Sequence, residues 1–311
     1  MIVLNDSFKV KFKYKTYVTI GSFDGLHKGH LSLIDKTIQL SKSNNVKSMV
    51  NTFKEHPLNT INKDIAPKLI MDNETKIQLL EDYGLDVLNL CDFSDIMKMS
   101  PEDYVVNMIK AYNIKGIITG FNHKFGYKNQ GDVELLKKLS EKYGIELYIV
   151  EPVKVNGEIV SSTSIRKYVA NGEIARANSM LLRPYSLKGT VVHGREVGRT
   201  LGFPTANLKY DSNFVVPAVG VYYTVVEYNG KMYKAITDVG YAPTVRNSDF
   251  SVESYMLNFN EDIYGKSIKV NFIEKIRNEV KFDSLVGLRH QLESDKKFAE
   301  SKDLENNFSK K

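Results

Sequence analysis

Residues 21 to 30 read Gly21-Ser22-Phe23-Asp24-Gly25-Leu26-His27-Lys28-Gly29-His30, directly after an apolar run and directly before a helical pattern. Glycines let the backbone approach an anion with no Cβ in the way, and a helix start offers unpaired N–H groups and the positive end of a dipole. Two imidazoles bracketing Gly29 add donors to the same volume, so the segment is expected to hold phosphate groups. Two histidines three apart can also share a metal, but no third ligand accompanies them locally and Lys28 between them would repel a cation.

A second stretch with chemistry in it runs Gly189-Thr190-Val191-Val192-His193-Gly194-Arg195-Glu196-Val197-Gly198-Arg199-Thr200-Leu201-Gly202-Phe203-Pro204-Thr205-Ala206-Asn207-Leu208. It is a glycine-bearing loop with two arginines, then a proline of fixed φ, then Thr205 and Asn207 one residue apart on one strand face. Glycine, cation and hard oxygen ligands together suit a Mg²⁺-nucleotide, because Mg²⁺ takes oxygens and keeps phosphate oxygens in its shell. The pattern is not that of a Walker loop.

The His27-Lys28-Gly29-His30 segment resembles the HxGH signature of the nucleotidyltransferase superfamily. Three later blocks resemble, in family order, the bacterial bifunctional riboflavin kinase/FMN adenylyltransferase family. They are Thr52-Phe53-Lys54-Glu55-His56-Pro57, Gly120-Phe121-Asn122-His123-Lys124-Phe125-Gly126 and Val160-Ser161-Ser162-Thr163-Ser164-Ile165-Arg166. The Gly202-Phe203-Pro204-Thr205-Ala206-Asn207 block closely resembles that of the family's riboflavin kinase half, and Val252-Glu253-Ser254-Tyr255-Met256-Leu257-Asn258-Phe259 resembles its strand with the catalytic glutamate. Two end blocks match as well, Tyr264-Gly265-Lys266 and residues 277–285, so the resemblance spans residues 15–298.

The resemblance implies an enzyme that phosphorylates riboflavin to FMN in its C-terminal half and adenylylates FMN to FAD in its N-terminal half, with ATP and Mg²⁺ serving both. It implies His27 and His30 as catalytic donors, with Gly21, Ser22, Phe23, Asp24, Gly29, Ser162, Thr163 and Arg166 on the first ATP. Phe53, His56, Pro57, Asn122 and Phe125 would line the flavin pocket. In the kinase half it implies Gly194, Gly198, Arg199, Thr205 and Asn207 on ATP, Thr205 and Asn207 on the metal, and Glu253 as the base that orients or deprotonates the ribityl hydroxyl. The chain departs from the family pattern at Asn122, where an acidic residue is frequent, and at His123, where an aromatic one is. It also lacks the arginine often found before Gly131, and Tyr255 replaces a usual histidine.

The elements that must hold these residues follow from periodicity. Candidate strands at Tyr17–Gly21, Val46–Phe53, Val87–Leu90, Gly116–Gly120 and Glu146–Val150 alternate with helices at His30–Ser41, Asn73–Tyr83, Pro101–Ala111 and Val133–Tyr143, the pattern of a helix-covered parallel sheet. Helices are also expected at Ser164–Ala170, capped by the preceding Ser-Ser-Thr run, and at Glu173–Leu181. At Arg183-Pro184 the texture changes to period-two alternation with turn signals such as Asn229-Gly230. Strands are expected at Ser186–His193, Gly220–Tyr228, Lys231–Val239, Ser251–Phe259 and Ser267–Ile276, then a helix at Ser284–Ala299. The expected architecture is thus α/β: a Rossmann-like nucleotidyltransferase domain at 1–183, then an antiparallel β-barrel riboflavin kinase domain at 184–311 with a C-terminal helix.

Composition narrows the setting. Among 311 residues, 42% hydrophobic and 26% charged, no apolar run approaches the roughly 20 residues of a membrane span. The single cysteine, Cys91, lies in an apolar stretch and reads as core filler in a reducing compartment, so a cytoplasmic location without membrane contact is expected. The net charge of +6 comes from scattered lysines, with no dense basic block interleaved with aromatics, so the expected partners are small molecules and not nucleic acid.

Overall fold

Six short strands of the first half pair in parallel in the order β1-β4-β3-β2-β5-β6 in the computed structural model, which describes residues 1–194, 202–241 and 250–304. They are β1 (Ile2–Leu4), β2 (Thr16–Ile20), β3 (Lys47–Phe53), β4 (Val87–Cys91), β5 (Ile114–Gly120) and β6 (Glu146–Val150). Every residue of β2 and of β4 is buried, as expected where helices cover both faces of a parallel sheet. Helices α1 (Lys28–Ser43), α2 (Pro57–Ile61), α3 (Asn73–Asp82), α4 (Phe93–Ile96), α5 (Pro101–Tyr112) and α6 (Val133–Tyr143) connect the strands. Their starts are written locally: Asp72, Ser100 and Asp132 each cap a helix through the side-chain oxygen, and Pro101 opens α5, where its missing N–H costs nothing. Cys91 closes β4 as a buried residue, and burial pushes its thiol up to about 11, which leaves it inert.

A small hairpin, β7 (Lys154–Val155) with β8 (Glu158–Ile159), ends the first of two compact units, Met1–Ser161 and Ser162–Lys311. The division falls before α7 (Ser162–Ala170) and α8 (Ile174–Met180), while the change of sequence texture lies at Arg183-Pro184. The carboxamide of Asn178 in α8 explains the grouping: its Nδ2 donates to Phe272 O at 2.8 Å and its Oδ1 accepts from Tyr185 N at 2.8 Å.

The second unit is a closed antiparallel barrel in the order β10-β13-β12-β11-β14-β9. Its strands are β9 (Ser186–Val192), β10 (Ala206–Tyr210), β11 (Gly220–Tyr228), β12 (Lys231–Tyr241), β13 (Phe250–Met256) and β14 (Ser267–Arg277). Asn229 and Gly230, at φ 48° and 71°, form the two-residue turn between β11 and β12, a conformation that their side chains tolerate best. Helix α9 (Leu285–Glu300), capped by Ser284, covers one outer face, where Val221, Tyr223, Val225, Ile236 and Ala299 form a core cluster. The expected α/β unit followed by an antiparallel barrel with a terminal helix is what forms. Several expected elements shift: α1 starts at Lys28, so His30 lies in its first turn, α7 starts at Ser162, so Ser162 and Thr163 lie in its first turn and not before it, and β13 stops at Met256. Strand β1 has no counterpart in the sequence reading, because three residues carry no period.

Candidate active sites

In the first unit β3 and β4 step away from β2 on one side, and β5 and β6 lie on the other. The β2/β5 boundary is therefore the switch point of the sheet, where ligands of open α/β sheets bind beyond the carboxyl ends of the strands. The turn after β2 sits there. Phe23, Gly25 and Leu26 all take the left-handed region, at φ 44°, 89° and 41°. Phe23 and Leu26 are fully buried, so packing supplies the energy that holds two non-glycine residues in that strained conformation. A Cβ on Gly25 would lie 2.9 Å from Ile70 Cγ2. The Asp24 carboxylate accepts the backbone N–H groups of Ile70 (3.1 Å) and Met71 (3.2 Å), and Thr52 Oγ1 donates to Ser22 O at 2.9 Å. Asp24 therefore ties the turn to the segment before α3.

His27 is the N-cap of α1, and its Nδ1 accepts the backbone N–H of His30 at 3.2 Å. A ring nitrogen used as acceptor carries no proton, so the neutral imidazole has its N–H at Nε2. The His30 ring stacks on that of His27 with centroids 3.5 Å apart, and Phe23 lies 5.0 Å from His30 on a tilted contact. Gly29 leaves room for this pair: a Cβ there would stand 3.2 Å from the His27 ring. The turn thus presents a helix N-terminus and two stacked imidazoles, an arrangement suited to a polyphosphate.

A small pocket of about 50 Å³ joins this turn to the next block: Ser22 and Asp24 line it together with Phe53 and His56. His56 caps α2 by accepting from Leu58 N at 3.2 Å, and Pro57 is the first residue of that helix. Phe53 packs edge-on against Phe93 at 5.5 Å. Beyond β5, Asn122 is exposed, while Phe125 is buried in the core beside Tyr104 and bridged to Gly131. Ser162 and Thr163 open α7, with Arg166 one turn further on. Sequence reasoning missed one residue here. Lys76 is buried and lines the same pocket, where burial pulls its pKa down against the charges of Asp24 and Asp72. Its signal was register, since Lys76 and Leu80 are the i, i+4 buried stripe of α3. His123 has a sealed Nε2 with no hydrogen-bond partner among the described residues, and burial holds its pKa down at about 4.

In the barrel, strand register assembles the second site. Asn207 of β10 stands opposite Glu253 of β13, and Glu253 stands opposite Asp238 of β12, so all three share one face. Thr205 Oγ1 donates to Glu253 Oε2 at 3.3 Å, and a Cβ on Gly194 would collide with the Asn207 carboxamide at 2.1 Å. Thr205, Asn207, Gly194 and Glu253 are thus brought together, while Gly198 and Arg199 lie outside the described residues. Asp238 went unread in the sequence. Burial, then the charges of Glu279 and Glu253, push its carboxyl up to about 6. A pocket of about 450 Å³ adjoins, with Thr205 on its wall and Phe259 through Tyr264 on its far side.

The FAD synthetase family model matches residues 9–164, and the riboflavin kinase family model matches residues 181–302. The chain is 34% identical to the bifunctional riboflavin kinase/FMN adenylyltransferase of Bacillus subtilis (strain 168), over 92% of both chains. This chain belongs to the bifunctional riboflavin kinase/FMN adenylyltransferase family. The Escherichia coli (strain K12) member is 33% identical over 89% of this chain and 90% of its own. A solved structure described as a macrolide-efflux protein from Streptococcus pneumoniae is 31% identical, with a TM-score of 0.88 over 97% of this chain and 99% of that one. Among the described residues of this family member, no helix is long and apolar enough to cross a membrane. The His27 turn lies within the FAD synthetase match, and the Thr205–Glu253 ladder lies within the riboflavin kinase match.

Proposed function

We propose that the two sites divide the two reactions of the family between residues 1–183 and 184–311: the barrel phosphorylates riboflavin to FMN, and the first domain adenylylates FMN to FAD. The observation that carries this division is that each family match contains its own phosphate-suited site, a histidine-capped turn in one and an oxygen-bearing strand ladder in the other.

In the kinase, the Glu253 carboxylate takes the proton of the ribityl hydroxyl as its oxygen attacks the γ-phosphorus of ATP, and ADP departs. The donor set of Thr205 and Asn207, two neutral hard oxygens on adjacent positions of one strand face, fits Mg²⁺ only with phosphate oxygens completing the shell. Bound there, Mg²⁺ supplies charge neutralisation on the nucleotide. Thr205 also keeps Glu253 in place through its hydroxyl. Gly194, with Gly198 and Arg199, cradles the phosphates.

In the adenylyltransferase, a phosphate oxygen of FMN attacks the α-phosphorus of ATP and pyrophosphate leaves, with no covalent enzyme intermediate. His27 Nε2–H and His30 donate to the phosphate oxygens as charge develops, beside the α1 N-terminus. Gly21, Ser22, Phe23, Asp24 and Gly29 shape the turn on which the nucleotide rests, and Ser162, Thr163 and Arg166 keep the ATP-binding role that the family resemblance implies. Phe53, His56, Pro57 and Asn122 border the flavin, with Phe125 behind them in the core. A cytoplasmic setting fits the single buried thiol and the small-molecule substrates.

The test is chromatography of flavins after incubating the purified chain with riboflavin and Mg-ATP. FMN should appear first and FAD after it, with ADP and pyrophosphate formed in step with each. Absence of both flavin products sinks the reading.

A further inference from the structure

Inside the barrel three buried hydroxyls form a chain across adjacent strands. Thr224 Oγ1 of β11 lies 2.7 Å from Thr237 Oγ1 of β12, which lies 2.8 Å from Ser254 Oγ of β13. Thr224 and Thr237 are fully buried, and Ser254 is on the wall of the 450 Å³ pocket that also holds Thr205. The direction of hydrogen bonding along this chain follows from counting. A hydroxyl has one proton to donate, and a buried proton without an acceptor costs about 1–3 kcal/mol. Among the described residues the only partner of the Thr224 hydroxyl is Thr237, whereas Ser254, 1% exposed, also borders the pocket, so of the two directions the geometry allows, only the one in which Thr224 donates to Thr237 can give every proton an acceptor. Thr237 then donates to Ser254, whose oxygen is occupied as an acceptor and whose own proton is left to face the pocket.

We propose that Ser254 is a hydrogen-bond donor to the nucleotide in the kinase pocket, held in that sense by Thr237 and Thr224. This rests on the reading of the barrel as the riboflavin kinase and names a binding residue which that reading does not contain. The ligand must present an acceptor at this point, as the nitrogens of a purine, the ribose oxygens and the phosphate oxygens all do. Pocket volume fits a nucleotide, being within the about 300–1,000 Å³ of small-molecule sites. Its wall at Thr205 and Ala206 is the segment expected to meet phosphate, and Ala206 stands directly opposite Ser254 in the ladder.

The experiment measures initial formation of FMN plus FAD from riboflavin against ATP concentration, using the full chain, so that only the kinase step is read. Ser254→Ala should raise KM for ATP by about three- to tenfold, the range that one uncharged hydrogen bond commands, with kcat within about twofold. Because that variant strands the Thr237 proton, a second variant, Thr224→Val with Thr237→Val and Ser254→Ala, removes every member of the chain at nearly constant volume and should show the same rise. Competition by adenosine and by pyrophosphate locates the acceptor: whichever inhibitor loses potency against the variants carries it. An unchanged KM in the triple variant overturns the proposal. An unmodified chain that makes no FMN at all overturns the kinase reading itself, and the donor assignment with it.

Discussion

In the first unit the proposed phosphate donor is a helix cap: His27 is placed by accepting the N–H of His30 and by a turn whose left-handed residues are locked in the core. In the barrel the proposed base is a rung: Glu253 is placed by cross-strand register between Asn207 and Asp238. The first site is therefore set by local backbone conformation, the second by the pairing of strands distant in sequence. A site of the first kind breaks when one residue of the turn gains a Cβ. A site of the second kind fails when a rung loses its chemistry or when a new Cβ reaches a rung, as one on Gly194 would reach Asn207.

The largest effects should fall on the two chemical steps, one at a time. Glu253→Gln should slow FMN formation by about 10²–10⁴-fold while added FMN is still converted to FAD. His30→Ala should do the reverse, halting FAD while FMN accumulates. If both substitutions slowed the same step, the division of labour between turn and ladder would be wrong. Smaller, and specific to the capped site, is Gly29→Ala. Its new Cβ stands 3.2 Å from the His27 ring and should displace the cap, lowering the FAD-forming rate by roughly ten- to a hundredfold with FMN formation unaffected.

Gly25→Ala tests the turn as a folding element. With φ at 89° and Ile70 only 2.9 Å from the new methyl, it should cost about 1–3 kcal/mol and shorten the half-life of FAD-forming activity on heating, leaving FMN-forming activity as before.

The smallest effects sharpen the contrast through pH. His123 in the first unit titrates at about 4, below the unfolded value of about 6.5, so the unfolded chain gains a proton that the folded unit refuses. Its contribution is present above about 6.5 and is lost as pH falls toward 4. Asp238 in the barrel titrates at about 6, above the ordinary value near 4, so the folded unit keeps a proton that the unfolded chain has released. That contribution is present below about 4 and is lost as pH rises through 6. His123→Phe should flatten the acid side of the first unit, and Asp238→Asn the rising side of the second, when urea unfolding of each is followed by hydrogen exchange across that window. Slopes of the same sign in both units would contradict these environments.

Much of this was legible in the residues. Ser100-Pro101, Asp132 and Asn229-Gly230 mark element ends because the physics of caps and two-residue turns is local. The His27 turn and the Pro204-Thr205 block were visible for the same reason, being contiguous. Sheet order was not, since nothing in Ile2–Leu4 says that it pairs beyond β4. Nor was the use of Asp24, which reads as a phosphate-site residue until Ile70 and Met71 are seen to take its carboxylate. Phe125 packs in the core and Lys76 is buried on the stripe of Leu80, because tertiary contacts decide which side of a loop or helix is inward. Asp238 becomes a neighbour of Glu253 only once β12 and β13 are paired.

Consecutive residues of β13 look in opposite directions, Glu253 toward Thr205 and Ser254 toward the barrel interior. Deleting or duplicating one residue between Ser251 and Glu253 would exchange these two directions, turning a carboxylate onto the buried hydroxyls of Thr237 and Thr224 and a hydroxyl toward Thr205. A change in the length of this strand would have to be matched at once in both strands beside it.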